Sequence, residues 1–193
     1  TGATFDATAQ AWLAQFEAAL AGQAPDRLAA LFAEECHWRD LLAFAWDLHT
    51  LSGPATIAAR LIPLARSVAP RGFALAAGRT PPRRVSRAGT DAIEAIFSFE
   101  TATGPCNGVV RLVQQGGTAR AWTLMTSLDE IRGHEDPANG RRWQDVDWKR
   151  NFGGENWLDR RKKAVAYADH DPAMLVVGAA QAGLSVAARL GML

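Results

Sequence analysis

The residues most specific for chemistry lie near the end of the sequence. Met174-Leu175-Val176-Val177 is an apolar run of the kind that makes a buried parallel strand, and Gly178-Ala179-Ala180-Gln181-Ala182-Gly183 follows it as a Gly-rich turn into a helix. A dinucleotide-binding βα unit begins this way, with three glycines in G-x-G-x-x-G. The first makes the tight turn, the second lets the backbone approach a pyrophosphate, and the third lets helix and strand pack closely. Gly178 and Gly183 fill the outer positions and Ala180 the middle one. A methyl group there projects toward the pyrophosphate and weakens phosphate binding. The acidic residue that holds the ribose is expected about 20 residues further on, past Leu193. We therefore expect 173–193 to be the truncated start of such a unit, cut short by truncation of the gene or by the segment expressed, with its cofactor-binding positions vestigial here.

The elements ahead of it are read from periodicity. Phe5, Ala9, Trp12, Leu13, Phe16 and Leu20 recur at helical spacing up to Gly22, an amphipathic helix. Pro25 opens a second helix with Leu28, Leu31 and Phe32 on its buried stripe, expected to end near Glu35. From Cys36 the period becomes two. Trp38 and Asp40, then Phe44, Trp46 and Leu48, fall on one side of strands. Gly53-Pro54 opens a third helix, which Pro63 should split into two unequal pieces. Strands are expected around 73–79 and over 91–100, 108–115 and 119–128, the last two joined by the Gly116-Gly117 hairpin turn, with Phe97 and Trp122 pointing inward. Helices followed by a curved antiparallel sheet make an α+β order. Residues 1–131 form that domain, 132–172 a linker and polar helix, and 173–193 the stub.

Composition narrows the partners. Apolar residues are 48% and charged residues 21% of 193, and the net charge is +1. That is a packed globular chain with no electrostatic bias toward nucleic acid or anionic membrane. No apolar stretch reaches the roughly 20 residues of a membrane span, and no signal peptide opens the sequence, so a cytoplasmic location is expected. Cys36 and Cys106 lie far apart without metal-ligand spacing and are expected to be buried thiols, with no metal. Arg160-Arg161-Lys162-Lys163 reads as a solvated helix face.

The segment Gly154-Glu155-Asn156-Trp157-Leu158-Asp159-Arg160-Arg161, with Tyr167-Ala168-Asp169-His170-Asp171-Pro172 and the Gly178 turn, resembles the entry to the FAD domain of flavin-dependent monooxygenases. The run Trp38-Arg39-Asp40-Leu41-Leu42-Ala43-Phe44-Ala45-Trp46-Asp47-Leu48 resembles the nuclear transport factor 2-like (SnoaL-like) domain that precedes the flavin domain in some of them. The resemblance implies an oxidoreductase parent using FAD, with no cofactor held by this chain itself. It also implies a cone-shaped domain, paired as a homodimer through its sheet. In that cone Trp38, Trp46, Phe97 and Trp122 are candidate walls for a small apolar molecule, with ordinary core packing as the competing reading, and Asp40 is the polar group within.

A second reading makes the cone a stand-alone isomerase or cyclase. Asp40 or Asp47 would then be the base and His37 or His49 its partner, although the sole tyrosine, Tyr167, leaves no ketosteroid-isomerase oxyanion arrangement. A third makes it a non-catalytic dimerisation module, in which Arg79, Arg83, Arg84 and Arg87 around Pro81-Pro82 belong to an interface or to an exposed polar loop. The apolar stretch 174–177 is expected to be covered by a helix or paired across a dimer.

Overall fold

The computed structural model describes residues 2–135 and 153–190. They fall into two units, Thr1–Glu135 and Asp136–Leu193.

The first unit is α+β. Helix α1 (Gly2–Ala21) buries Ala9, Trp12, Leu13, Phe16 and Leu20, the stripe its periodicity predicts. Helix α2 (Pro25–Ala30) starts on Pro25 and buries Leu28. It stops sooner than expected, because Phe32 and Ala33 are already in strand β1 (Phe32–Leu41). Strand β2 (Leu48–Ser52) leads through Gly53, at φ 87°, into helix α3 (Pro54–Val68). The expected split at Pro63 does not occur. Pro63 and Ala59, whose carbonyl loses its i+4 partner, both lie on the exposed side, while Ile57, Ala58, Leu61, Ile62 and Ala65 hold the other side to the core.

Strands β3 (Arg71–Leu75), β4 (Arg83–Arg87), β5 (Thr90–Glu100), β6 (Pro105–Gln115) and β7 (Thr118–Leu128) complete the unit. The arginine-rich stretch read as a loop thus contributes a strand, antiparallel to β5, with Arg83 beside Glu94. Gly116 and Gly117, at φ 62° and 77°, turn β6 into β7 as expected. Glu17 of α1 ties β3 down by accepting hydrogen bonds from the backbone N–H groups of Gly72 and Phe73 at 2.6 and 3.2 Å.

The sheet runs β2-β1-β7-β6-β5-β3, with β4 also on β5. All its pairs are antiparallel except one. β1 lies parallel to β7, so the sheet is mixed and not wholly antiparallel as expected. That pairing joins strands more than 80 residues apart, which no local pattern reveals.

The second unit holds helix α4 (Trp157–Ala166), capped by Asn156, whose side chain accepts from the Asp159 N–H at 2.9 Å. Arg161 lies over the Trp157 ring, and the basic run is exposed. Helix α5 (Gln181–Leu190) follows the glycine turn. Residues 174–177 form no strand, a correction to the βα expectation. Leu175 and Val177 are 79% and 89% exposed, so no described helix of this unit covers them. No described helix is long and apolar enough to cross a membrane.

Candidate functional site: the two faces of the sheet

Cross-strand register sorts the candidate residues onto two faces. On the inner face, His49, Asp40, Thr126, Gly108, Phe97 and Leu75 form one continuous row from β2 to β3. Leu51, Trp38, Leu124, Val110 and Ala95 form the next. Trp38 and Phe97, the two innermost of the expected walls, are fully buried in the core.

The centre of this face is Asp40, which is inaccessible to solvent. Its Oδ1 accepts from the Thr126 hydroxyl at 2.6 Å, and its Oδ2 accepts from the backbone N–H groups of Phe44 and Ala45 at 3.0 and 3.1 Å. The Thr126 hydroxyl in turn accepts from the Trp38 indole N–H at 3.0 Å. A general base needs an oxygen that can face its substrate. Both oxygens here are engaged, Oδ1 by Thr126 of β7 and Oδ2 in fastening the chain after β1, where Leu42 takes a left-handed φ of 68°.

That fastening sets Phe44 as a plug. Its ring meets Trp38 edge-on at 5.7 Å and stacks on Phe99 at 5.9 Å. Phe99 stacks on Phe73 at 4.5 Å, and Phe73 lies 6.0 Å from Phe97. Aromatic rings fill the interior that the sequence reading left for a ligand.

Two expected walls lie elsewhere. Trp46 is 68% exposed, because the loop that turns Phe44 inward turns Trp46 out. Trp122 is half-buried and outside the core cluster. Arg111 pairs with Thr123 and Leu112 with Ala121, so Trp122 is the extra residue of a β-bulge and loses the inward place its spacing predicted.

His49 faces inward beside Trp38, at 5.1 Å between ring centroids, with Nδ1 against Asp47 Oδ1 at 2.8 Å. Its Nε2 is buried without a hydrogen-bond partner among the described residues. His37 faces out, as its alternation with Trp38 requires, and its Nδ1 is 2.7 Å from the Ser52 hydroxyl. The sequence pattern pointed to neither Thr126 nor Gly108, and it gave Phe44 an inner side but not its place as a plug. A threonine among alternating residues of β7 is an ordinary strand residue until its register against Asp40 is known.

The outer face carries three rows. Glu94, Arg111, Thr123, His37 and Ser52 form the first. Ile96, Val109, Met125, Arg39 and Thr50 form the second, and Ser98, Asn107, Ser127, Leu41 and Leu48 the third. Ile96, Val109 and Met125 are half-buried yet belong neither to the core nor to the hydrophobic residues packed on it. A shallow concavity of about 390 Å³ opens over Val109, Met125, Arg39 and Arg111. Burial alone would raise the Glu94 carboxyl, but hydrogen bonds from Arg111 and Arg83 outweigh it and hold the group below the usual range. Arg39 has only the Thr50 hydroxyl, at 3.4 Å.

The thiols fit their expected place. Both cysteines are free and buried. Burial raises Cys36, and it lifts Cys106 to about 11. At neutral pH neither supplies appreciable thiolate. A colourimetric thiol reagent should therefore label both cysteines slowly in the native protein and rapidly in urea; fast native labelling of Cys106 would contradict its burial. No group of three or more His, Cys, Asp or Glu side chains among the described residues could hold a metal.

In the second unit Gly178 has a φ of 106°, and a Cβ on Gly183 would sit 2.0 Å from the Gly178 carbonyl oxygen. Close approach across the turn therefore exists. The strand that should precede it does not form, and Ala180 occupies the middle glycine position.

No family model matches the chain, and no curated protein matches it. Among solved structures, a DUF4783 family protein from Bacteroides fragilis aligns at 10% identity over 60% of this chain and 96% of its own, with a TM-score of 0.43. A Nostoc punctiforme protein of unknown function with a cystatin-like fold aligns at 12% identity over 61% and 86%, TM-score 0.44. A domain of unknown function with a cystatin-like fold, from the same organism, aligns at 14% identity over 69% and 82%, TM-score 0.46. Likenesses this distant carry no function. The chain's structural neighbours include DUF4783 and cystatin-like proteins, and the expected resemblance to a nuclear transport factor 2-like domain leading into a flavin monooxygenase is not upheld.

Proposed function

We propose that the first unit is a non-catalytic association module that pairs with a second copy of itself through the outer face of its sheet. The observation that carries this reading is the row Ile96, Val109, Met125, half-buried apolar side chains on a sheet face outside the core. An apolar patch framed by charges is the composition of an interface centre and rim. Among the described residues, rings fill the interior of the opposite face and both oxygens of Asp40 are occupied, which favours the outer face.

A second copy is the partner the charges favour. A two-fold axis along the strands, between β6 and β7, sets β5 of one copy over β1 of the other. Within the first row Glu94 then faces His37 of the second copy. Within the second, Val109 faces Met125, and Ile96 faces the aliphatic stem of Arg39. In these two rows the acidic and apolar positions meet complements, as an isologous interface requires.

Sedimentation of the whole chain over a concentration series tests this. The chain should run as a dimer, and the Val109→Lys/Met125→Lys double variant should associate roughly a hundredfold more weakly, about 2.7 kcal/mol, with its circular dichroism unchanged. A chain that stays monomeric at every concentration, or a variant that dimerises as well as the parent, would end the proposal.

A further inference from the structure

Where α1 and α2 meet the start of β7, a concavity of about 430 Å³ is lined by Arg27, Arg120, Gln15, Thr118, Ala18 and Leu31 among others. Two guanidinium groups share it. Neither the Arg27 nor the Arg120 side chain forms a hydrogen bond or ion pair among the described residues, and the Nε of Arg120 is buried without a partner. Three of the seven arginines in this unit's strands are paired with carboxylates: Arg83 and Arg111 hold Glu94, and Arg84 holds Asp91. Guanidinium groups that no protein acceptor engages leave their accessible N–H donors to a ligand's oxygens.

We infer that this concavity is a binding site for a small organic carboxylate with an apolar body. Guanidinium groups take carboxylates through paired N–H donors, and two of them on one concavity select negative charge. Gln15 and Thr118 add neutral polar groups at the same wall. Ala18, Leu31 and their alanine neighbours give the remainder of the ligand an apolar surface. Small residues there leave the space open, and a fully hydrated anion would waste that surface. The site needs no second copy, so it stands or falls separately from the association reading.

The test uses the whole chain and follows backbone amide shifts during titration with benzoate, with benzamide as the uncharged isostere and inorganic phosphate as the bare anion. Benzoate should shift Thr118 and Arg120 saturably, and benzamide and phosphate should not. Because Arg27 is exposed, Arg27→Gln keeps the fold and should weaken benzoate binding roughly tenfold, the loss of one charged hydrogen-bond pair. Arg120→Gln, with its dispersion of amide signals checked against the parent, should do the same. Phosphate binding as tight as benzoate would overturn the carboxylate assignment. No saturable shift, or benzoate affinity unchanged by Arg27→Gln, would overturn the site.

Discussion

Asp40→Ala is expected to destabilise the first unit by about 3–5 kcal/mol, the range for stripping several buried donors of one charged acceptor. The substitution leaves the Phe44 and Ala45 N–H groups and the Thr126 hydroxyl without their acceptor, in a place the solvent does not reach. It also frees the chain at Leu42, whose left-handed backbone persists only while its surroundings hold it. Phe44 then loses its seat between Trp38 and Phe99. Asp40→Asn keeps one carbonyl oxygen, so it can serve either the two N–H groups or the threonine and should cost less, about 1–2 kcal/mol. Urea unfolding followed by tryptophan fluorescence reads this, because Trp12 and Trp38 are buried in the same core. An Asp40→Ala midpoint equal to the parent's would mean the carboxylate anchors nothing.

The same residue shows how far local pattern carries. Alternation placed Trp38 and Asp40 together on the inner side of a strand, and they are there. What alternation lacks is the neighbour. Thr126 lies 86 residues away, on the strand that β1 joins in parallel, and the reading of Asp40 as a free base in a pocket followed from not knowing that partner. The expected pocket walls are parted for a related reason. Beyond Leu41 the period of two continues through Phe44, Trp46 and Leu48 in the sequence but not in the backbone. A loop pinned by Asp40 sends Phe44 inward and Trp46 outward.

Helix stripes were more legible, because 3.6-residue periodicity is a property of one segment. The buried residues of α1 and α3 follow it, and only the effect of Pro63 on α3 was misjudged, since its exposed position removes much of the cost of a lost hydrogen bond. The hairpin at Gly116-Gly117 was legible through its turn chemistry. The bulge at Trp122 was not, because its flanking residues alternate in sequence as though no residue had been inserted. Likewise the anion-selective concavity joins Arg27 of α2 to Arg120 of β7, and no spacing along the chain connects them.

Gly108 carries the second large expectation. It lies between Thr126 and Phe97 on the inner row, and the Phe97 ring covers it. A Cβ there would stand 2.1 and 2.6 Å from Phe97 Cζ and Cε1 and 2.7 Å from the Met125 carbonyl oxygen. One obstacle is a ring that must leave its stack, and the other is backbone that cannot move without shifting β7. Gly108→Ala should therefore cost about 3 kcal/mol, the upper part of the range for overpacking a filled core. Its φ is not in the left-handed region, so collision and not backbone strain is the cause. The two causes separate experimentally. Trimming the ring with Phe97→Leu removes the first obstacle and leaves the second, so Gly108→Ala should cost clearly less in the Phe97→Leu background than alone, a coupling of about 1 kcal/mol or more. Should Gly108→Ala fall within about 0.5 kcal/mol of the parent, the range of uneventful surface changes, the ring does not lie on Gly108 and the interior has room for a ligand after all.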